Sequence, residues 1–174
     1  MSKAVMLSIR PKWAEKIANG EKTIEVRKTR PKMNTPFKCY IYCTLQGCNE
    51  FFRVDLGRDV AKWNRGKWAD RKGKVIGEFT CDRIDRLAPA NEPYGIYDID
   101  DDYVFQTCLE NGALWDYGHG IPLYGWHISG LKIYDVPKKL SEFTGLRNTR
   151  FGAAPYDIKR APQSWCYVEA MDNG

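Results

Sequence analysis

The 174-residue sequence lacks most of the features that mark common enzyme and membrane classes. It contains two histidines, His119 and His127, so Ser/His or Cys/His catalysis has few candidate bases. Neither a G-x4-G-K-[ST] nor a G-x-G-x2-G motif is present, which excludes the usual phosphate-binding loops. No apolar run approaches the roughly 18 residues of a membrane-spanning helix. Internal repeats and low-complexity tracts are also absent. We expect no membrane contact.

The six cysteines do not have the spacing of a structural metal site. Their one cluster is Cys39, Cys43 and Cys48, which lacks a paired C-x2-C and a nearby histidine. No apolar secretory segment follows Met1, so we expect a reduced, cytoplasmic protein. We predict no metal site and no cofactor.

The charge distribution favours a polyanionic partner without requiring one. Lys and Arg number 27 against 22 acidic residues, a net charge of +5. The basic residues are concentrated between Lys3 and Lys38, and an acidic run extends from Asp98 to Asp102. Contact with nucleic acid and an ordinary solvated surface explain this pattern equally well.

Hydrophobic periodicity predicts a mixed fold of about six strands and two or three helices. The predicted strands are Ala4 to Ile9, Thr23 to Thr29, Phe37 to Thr44, Lys74 to Leu87, Tyr124 to Val136 and Ser164 to Glu169. One predicted helix begins at Pro11 and ends near Gly20, and the other extends from Asp101 to Glu110. Few helices between glycine-separated strands suggest an α+β fold with a small closed barrel. We expect residues 1–174 to form one domain, with a helical insertion at 91–123.

The segment from Gly20 to Arg30 has a charge pattern that does not suit a simple core strand. Side chains alternate across a strand, so Glu25 and Arg27 share one face and stand two residues apart. This spacing suits either an ion pair or a polar pocket. A purely structural pairing of these two residues, or of either one with Arg10, is the competing interpretation.

The same segment resembles a known family. The pattern Trp13-x3-Ile17-x2-Gly20-x-Lys22-Thr23-Ile24-Glu25-Val26-Arg27 resembles the signature of the ASCH domain, a branch of the PUA-like superfamily. Three later segments are similar to the family's barrel strands: Lys74 to Phe79, Trp126 to Ser129 and Pro162 to Val168. The resemblance implies a PUA-like β-barrel with a cleft beside the first helix, lined by the signature strand, that accepts RNA or a nucleotide-like ligand.

We therefore predict a binding module for RNA or a modified nucleoside. Arginine offers a planar donor fork, lysine a mobile cation, and a carboxylate can accept from an exocyclic amine. Aromatic rings interleaved with basic residues suit base stacking. Trp63 and Trp68 have such basic neighbours, whereas His127 is also explained as an ordinary strand residue. The predicted ligand-binding residues are Arg10, Lys22, Glu25, Arg27, Trp63, Trp68, Trp126 and His127.

A hydrolase on the same cleft is the alternative. One branch of the family hydrolyses the acetyl amide of N4-acetylcytidine with a lysine, a threonine and a glutamate. Lys22 matches that lysine, but Glu25 occupies the threonine position, and Glu78 is a general base by residue type alone. Another member resembles a ribonuclease. If the protein is an enzyme, the predicted catalytic residues are Lys22, Glu25 and Glu78.

Overall fold

The computed structural model describes residues 2–45, 70–90 and 95–171. Within these ranges there are eight strands, three α-helices and one short 3-10 helix at Leu140–Glu142. The strands are β1 Lys3–Ile9, β2 Ile24–Arg27, β3 Phe37–Cys43, β4 Lys74–Leu87, β5 Leu123–Lys138, β6 Thr144–Thr149, β7 Gly152–Asp157 and β8 Trp165–Glu169. The α-helices are α1 Pro11–Ala18, α2 Asp101–Thr107 and α3 Asn111–Gly118. None of the helices in the described ranges is long and apolar enough to cross a membrane.

The mixed α+β class is confirmed, whereas the six-stranded closed barrel is not. The sequence prediction missed β6 and β7, so the described chain has eight strands instead of about six. β2 and β7 stand at the two ends of the strand order and each has one neighbour. The sequence of β7, Gly-Ala-Ala-Pro-Tyr-Asp, explains the omission, because it has few residues that favour strands. Pro155 is tolerated there because β7 is an edge strand.

The predicted helix from Asp101 to Glu110 ends at Thr107 in the structure, and a further helix, α3, begins just after the predicted range. Cys108 has a left-handed conformation, with φ 54°, and ends α2. Asn111, which follows the predicted helix end at Glu110, begins α3. Its side chain accepts a hydrogen bond from the Tyr97 backbone and donates one back, at 2.7 and 3.2 Å. Local sequence could not reveal this partner, which lies 14 residues away.

The described chain divides into two compact units. Unit 1 comprises residues 1–15, 38–79 and 131–174, and unit 2 comprises residues 16–37 and 80–130. The single-domain prediction and the predicted insertion at 91–123 stay predictions.

Unit 1 contains most of the sheet. Its strands lie in the order β5-β4-β3-β1-β8-β6-β7, with β1 parallel to β3 and antiparallel to β8. Gly77 of β4 is required where the backbone of β5 approaches, since a Cβ there would lie 2.5 Å from the Lys132 carbonyl oxygen. One core cluster of this sheet is formed by Ala4, Met6, Tyr40, Tyr42, Val75, Phe143, Ile158 and Val168.

Unit 2 contains the signature strand. β2 pairs antiparallel with β5, so that Glu25 lies opposite Trp126 and Ile24 lies opposite His127. Its core is formed by Val26, Leu87, Tyr97, Leu114 and Leu123. Because α2 and α3 contribute to the packing around β2, the segment that follows β4 is part of the environment of the signature strand.

Candidate functional site

The turn after α1 directs Lys22 into the interior of unit 2. Gly20 has φ 77°, a conformation that glycine adopts without strain, and its N–H donates to the Ile17 carbonyl at 3.0 Å. The N–H of Lys22 donates to the Lys16 carbonyl at 3.0 Å. The side chain of Lys22 is 2% exposed, which is unusual for a lysine.

Three charged side chains form a buried group that we call the charged triad: Lys22, Glu25 and Arg27. The Lys22 Nζ lies 3.5 Å from one Glu25 carboxylate oxygen, and the Arg27 Nη2 lies 3.0 Å from the other. Glu25 and Arg27 are 6% and 7% exposed. One carboxylate thus faces two basic side chains inside the protein. Such buried polar groups need hydrogen-bonding partners, and the donors of Lys22 and Arg27 suit an electron-rich ligand group.

The end of α2 completes the surroundings of Lys22. Its Nζ donates to the Thr107 carbonyl oxygen at 2.5 Å, and the Thr23 N–H donates to the Gln106 carbonyl at 2.9 Å. Burial lowers the pKa of Lys22, opposed by the negative charge of Glu25 and reinforced by the positive charge of Arg27. Lys22 therefore loses its proton at a lower pH than an exposed lysine does.

Tyr117 connects the charged triad with the surface and was not among the predicted site residues. Its side chain is 37% exposed, and burial raises the pKa of its hydroxyl, which the charge of Arg27 lowers and that of Glu25 raises. The Nζ of Lys28 lies 5.0 Å from the centroid of its ring. Tyr117 therefore offers an aromatic surface beside a cation, close to the charged triad. Nothing in the local sequence distinguishes it from the neighbouring aromatic residues.

His127 belongs to a second polar cluster in unit 2. Its Nε2 lies 2.6 Å from an Asp85 carboxylate oxygen and 3.0 Å from the Arg83 Nη2. Asp85 also accepts from the Arg83 Nε at 3.1 Å. Tyr103 lies beside this cluster, with its ring centroid 6.3 Å from that of His127, and burial raises the pKa of its hydroxyl. The ordinary explanation, a strand histidine with satisfied hydrogen bonds, accounts for these contacts.

The remaining predicted binding residues are Trp126, Arg10, Trp63 and Trp68. Trp126 is fully buried and packs edge-on against Phe37, with the ring centroids 5.8 Å apart. It lies opposite Glu25 on the neighbouring strand. Arg10 is exposed in unit 1, and its carbonyl accepts from the first turn of α1. Trp63 and Trp68 lie outside the described residues.

Glu78, the third predicted catalytic residue, lies in unit 1 and is 8% exposed. It accepts a hydrogen bond from the Tyr134 hydroxyl at 2.6 Å, and the Lys38 Nζ lies 3.7 Å from its carboxylate. The pKa of Tyr134 is raised by burial and by this carboxylate, so the hydroxyl stays protonated and donates. These contacts give Glu78 a structural role within unit 1.

The described residues provide no metal cluster. In residues 2–45, 70–90 and 95–171 no group of three His, Cys, Asp or Glu side chains is placed to hold a metal ion. A shallow pocket in unit 1, between the 3-10 helix and the strand β7, contains none of the predicted site residues.

Comparison with known protein families agrees with the resemblance found in the sequence. Residues 7–65 match the model of the ASCH domain family, and this match includes the charged triad. The resemblance to the ASCH domain family is confirmed. No curated protein gives a significant match.

Solved structures of an ASCH protein from Zymomonas mobilis share the fold. A serine-to-alanine mutant of that protein has a TM-score of 0.56 and 18% sequence identity, covering 95% of this chain and 88% of that one. A tyrosine-to-phenylalanine mutant has a TM-score of 0.52 and 17% identity, covering 97% and 91%. A further structure of the same protein has a TM-score of 0.51 and 17% identity, covering 95% and 87%. At this identity the likeness concerns the ASCH fold alone.

Proposed function

We propose that this protein binds RNA or a modified nucleoside through the charged triad of unit 2. The observation that carries the proposal is the buried grouping of two basic side chains around one carboxylate, Lys22, Arg27 and Glu25, which are all less than 10% exposed. Such a group binds best to a ligand that brings electron-rich oxygen atoms and an amine for the carboxylate. A nucleobase provides both.

The neighbouring groups suit the same ligand. Arg27 presents a planar donor fork, and Tyr117 adds a partly exposed ring beside Lys28. Stacking on Tyr117 would use a face of the base, and hydrogen bonding to the charged triad would use an edge. The ASCH resemblance favours RNA over other polyanions.

Isothermal titration of the purified protein with cytidine, N4-acetylcytidine and a single-stranded RNA tests the proposal. We expect Glu25→Gln to weaken binding of the preferred nucleoside at least about tenfold, because a hydrogen bond to a charged group contributes about 1.5 to 3 kcal/mol. Glu21→Gln is the matched control, since Glu21 forms an ion pair with Lys16 and its side chain is 52% exposed. We expect this control to bind like the wild type.

Arg27→Lys gives a second variant that keeps the charge and removes the donor fork. If Glu25→Gln does not fold, a loss of affinity in a folded Arg27→Lys protein supports the proposal. The proposal is wrong if the wild type binds neither nucleosides nor RNA, or if both triad variants bind as tightly as Glu21→Gln.

Amide hydrolysis is the second candidate, and the lowered pKa of Lys22 is the observation that favours it. A lysine with a lowered pKa is more often the neutral amine, which can accept a proton from water or act as a nucleophile. The reaction would consume N4-acetylcytidine and water and release cytidine and acetate. Glu25 would then act where the resembling hydrolases use threonine.

Chromatographic measurement of the loss of N4-acetylcytidine distinguishes amide hydrolysis from simple binding. Lys22→Met keeps the length of the side chain and removes its amine, so it should abolish turnover while Lys16→Met retains it. If the wild type binds N4-acetylcytidine but releases no acetate, the hydrolase candidate fails and the binding proposal stands.

A further inference from the structure

The strands β6 and β7 form a hairpin in unit 1 whose tip has an unusual composition. The two turn residues are Arg150 and Phe151, and the Phe151 side chain is 86% exposed. Tight hairpin turns normally use asparagine, aspartate or glycine. Because a phenylalanine at this position neither packs in the core nor suits the turn, stability does not explain it.

The tip is held in place by short-range hydrogen bonds. The Thr149 hydroxyl donates to the Gly152 carbonyl at 2.8 Å and accepts from the Phe151 N–H at 3.2 Å. The Arg150 guanidinium lies 4.6 Å from the centroid of the Phe151 ring. The exposed ring and its cation are thus preorganised, which reduces the entropy that a bound partner must overcome.

A second pair of aromatic residues lies on the sheet that carries this hairpin. Trp165 and Tyr167 stand two apart on β8, so they share a face, and their ring centroids lie 5.3 Å apart. Both are partly exposed. The Lys3 Nζ lies 4.5 Å from the Tyr167 ring centroid and donates to the Asn148 side chain on β6 at 3.2 Å. These contacts make the face continuous from β8 to β6.

The register places the aromatic pair on the face opposite the cluster that contains Val168, beside the buried residues Val5 and Leu146. Tyr167 pairs with Leu146, while Val168, the next residue on β8, belongs to the core. From Leu146 to Arg150 the chain advances four residues, about 13 Å at 3.3 Å per residue. The partly exposed aromatic pair and the hairpin tip are therefore separated by a distance that a few nucleotides can span.

The charge of this region matches a polyanion. Residues 144–169 contain the four basic residues Arg147, Arg150, Lys159 and Arg160 and the two acidic residues Asp157 and Glu169, so their net charge is 4 − 2 = +2. Lys3 on β1, which lies opposite Glu169 in the register, adds a further positive charge. Aromatic rings beside basic side chains are the usual means of binding single strands without sequence preference.

We propose that the hairpin tip and the adjoining β8 face of unit 1 bind single-stranded nucleic acid by base stacking and phosphate contact. We call this surface, made of Lys3, Asn148, Arg150, Phe151, Trp165 and Tyr167, the stacking surface. It is separate from the charged triad, and it does not depend on the nucleoside binding proposed for unit 2.

Fluorescence anisotropy with a labelled 12-nucleotide oligouridine, its DNA equivalent and an RNA duplex tests the proposal. We expect the full-length protein to prefer single strands. Phe151→Ala should weaken this binding about 5- to 150-fold, the range found for loss of one stacking ring. Arg150→Gln should reduce the slope of log K against log salt by about 0.7. Equal affinity for RNA and DNA, or a preference for RNA, both support the proposal.

Val136→Ala is the matched control, because Val136 is an apolar side chain of unit 1 that is 80% exposed. It should bind like the wild type, and the melting temperature of Phe151→Ala should be unchanged. The proposal is overturned if Phe151→Ala and Val136→Ala bind the oligouridine equally well. It is also overturned if the protein binds phosphatidylserine vesicles through Phe151 and does not bind single strands.

A free nucleoside distinguishes the two proposals, since it lacks the successive bases and phosphates that the stacking surface is proposed to bind. Phe151→Ala should leave cytidine binding unchanged. It should also weaken oligouridine binding by the same factor in the Glu25→Gln protein as in the wild type. Either proposal can therefore fail while the other stands.

Discussion

The side-chain amine of Lys22 donates a hydrogen bond to the backbone carbonyl of Thr107, 85 residues away in the chain. Thr107 is the last residue of α2, so Lys22 satisfies a carbonyl that the helix leaves without an intrahelical partner. The same amine lies 3.5 Å from Glu25. One lysine thus fixes the end of a helix and supplies a charge to the candidate site.

The stability of the protein should depend on pH through Lys22. Its pKa is lowered in the folded state, so the unfolded state binds more protons between that lowered pKa and the ordinary lysine value of about 10.4. Stability therefore rises with pH in this window. The free energy of unfolding of the wild type, minus that of Lys22→Met, should increase as the pH rises toward 10. Urea unfolding of both proteins at several pH values measures this difference in free energy of unfolding. A difference that stays constant or falls as the pH rises contradicts the prediction.

The N-cap of α2 should contribute measurably to stability. Asp100 accepts a hydrogen bond from the Tyr103 N–H at 2.8 Å, and we expect Asp100→Ala to cost about 1 kcal/mol. The control is Asp101→Ala, which removes an exposed charge from the first turn and leaves the cap intact. Urea unfolding should show a larger loss for Asp100→Ala. Equal losses would mean that charge near the helix end, not the cap, is what matters.

Gly125 should tolerate no side chain. A Cβ at this position would overlap the Tyr103 hydroxyl and lie 3.1 Å from Ile24. We expect Gly125→Ala to destabilise the protein by about 1 to 3 kcal/mol through overpacking. Gly112→Ala is the control, because open space surrounds Gly112. Adding Tyr103→Phe to Gly125→Ala should recover part of the loss, and strictly additive effects would argue against this contact.

Loss of the Tyr134 hydroxyl should destabilise unit 1 through Glu78. Tyr134→Phe removes a 2.6 Å hydrogen bond from a carboxylate that is 8% exposed, so we expect a loss of about 1 to 3 kcal/mol. In a double-mutant cycle, Glu78→Gln and Tyr134→Phe should be coupled. If Tyr134→Phe leaves stability unchanged, the structural role of Glu78 is wrong.

The sequence predicted the parts of this fold that depend on local pattern. The helix at Pro11 and the strand from Lys74 to Leu87 follow from periodicity, and the structure agrees with them. The spacing of Glu25 and Arg27 suited either an ion pair or a polar pocket, and the structure contains the ion pair. Each of these features involves residues that are near one another in the chain.

The features that the sequence missed depend on distant partners. The contact between Lys22 and Thr107 joins the signature to a segment that was interpreted as an insertion. Tyr117 comes close to the charged triad only because α3 packs in the same core as Val26. β6 and β7 escaped detection because their pairing, rather than their composition, makes them strands. Side-chain proximity of this kind arises from the tertiary fold, which local propensity does not encode.

The depth of Lys22 also makes it a chemical reporter. An amine that is 2% exposed is shielded from acylating reagents as long as unit 2 stays closed, so its labelling rate measures how often this region opens. Peptide mapping after brief treatment with an amine-reactive ester would follow Lys22 beside the more exposed Lys16 in one experiment. Bound ligand that closes the region further would then be detected as slower labelling, without any need for turnover.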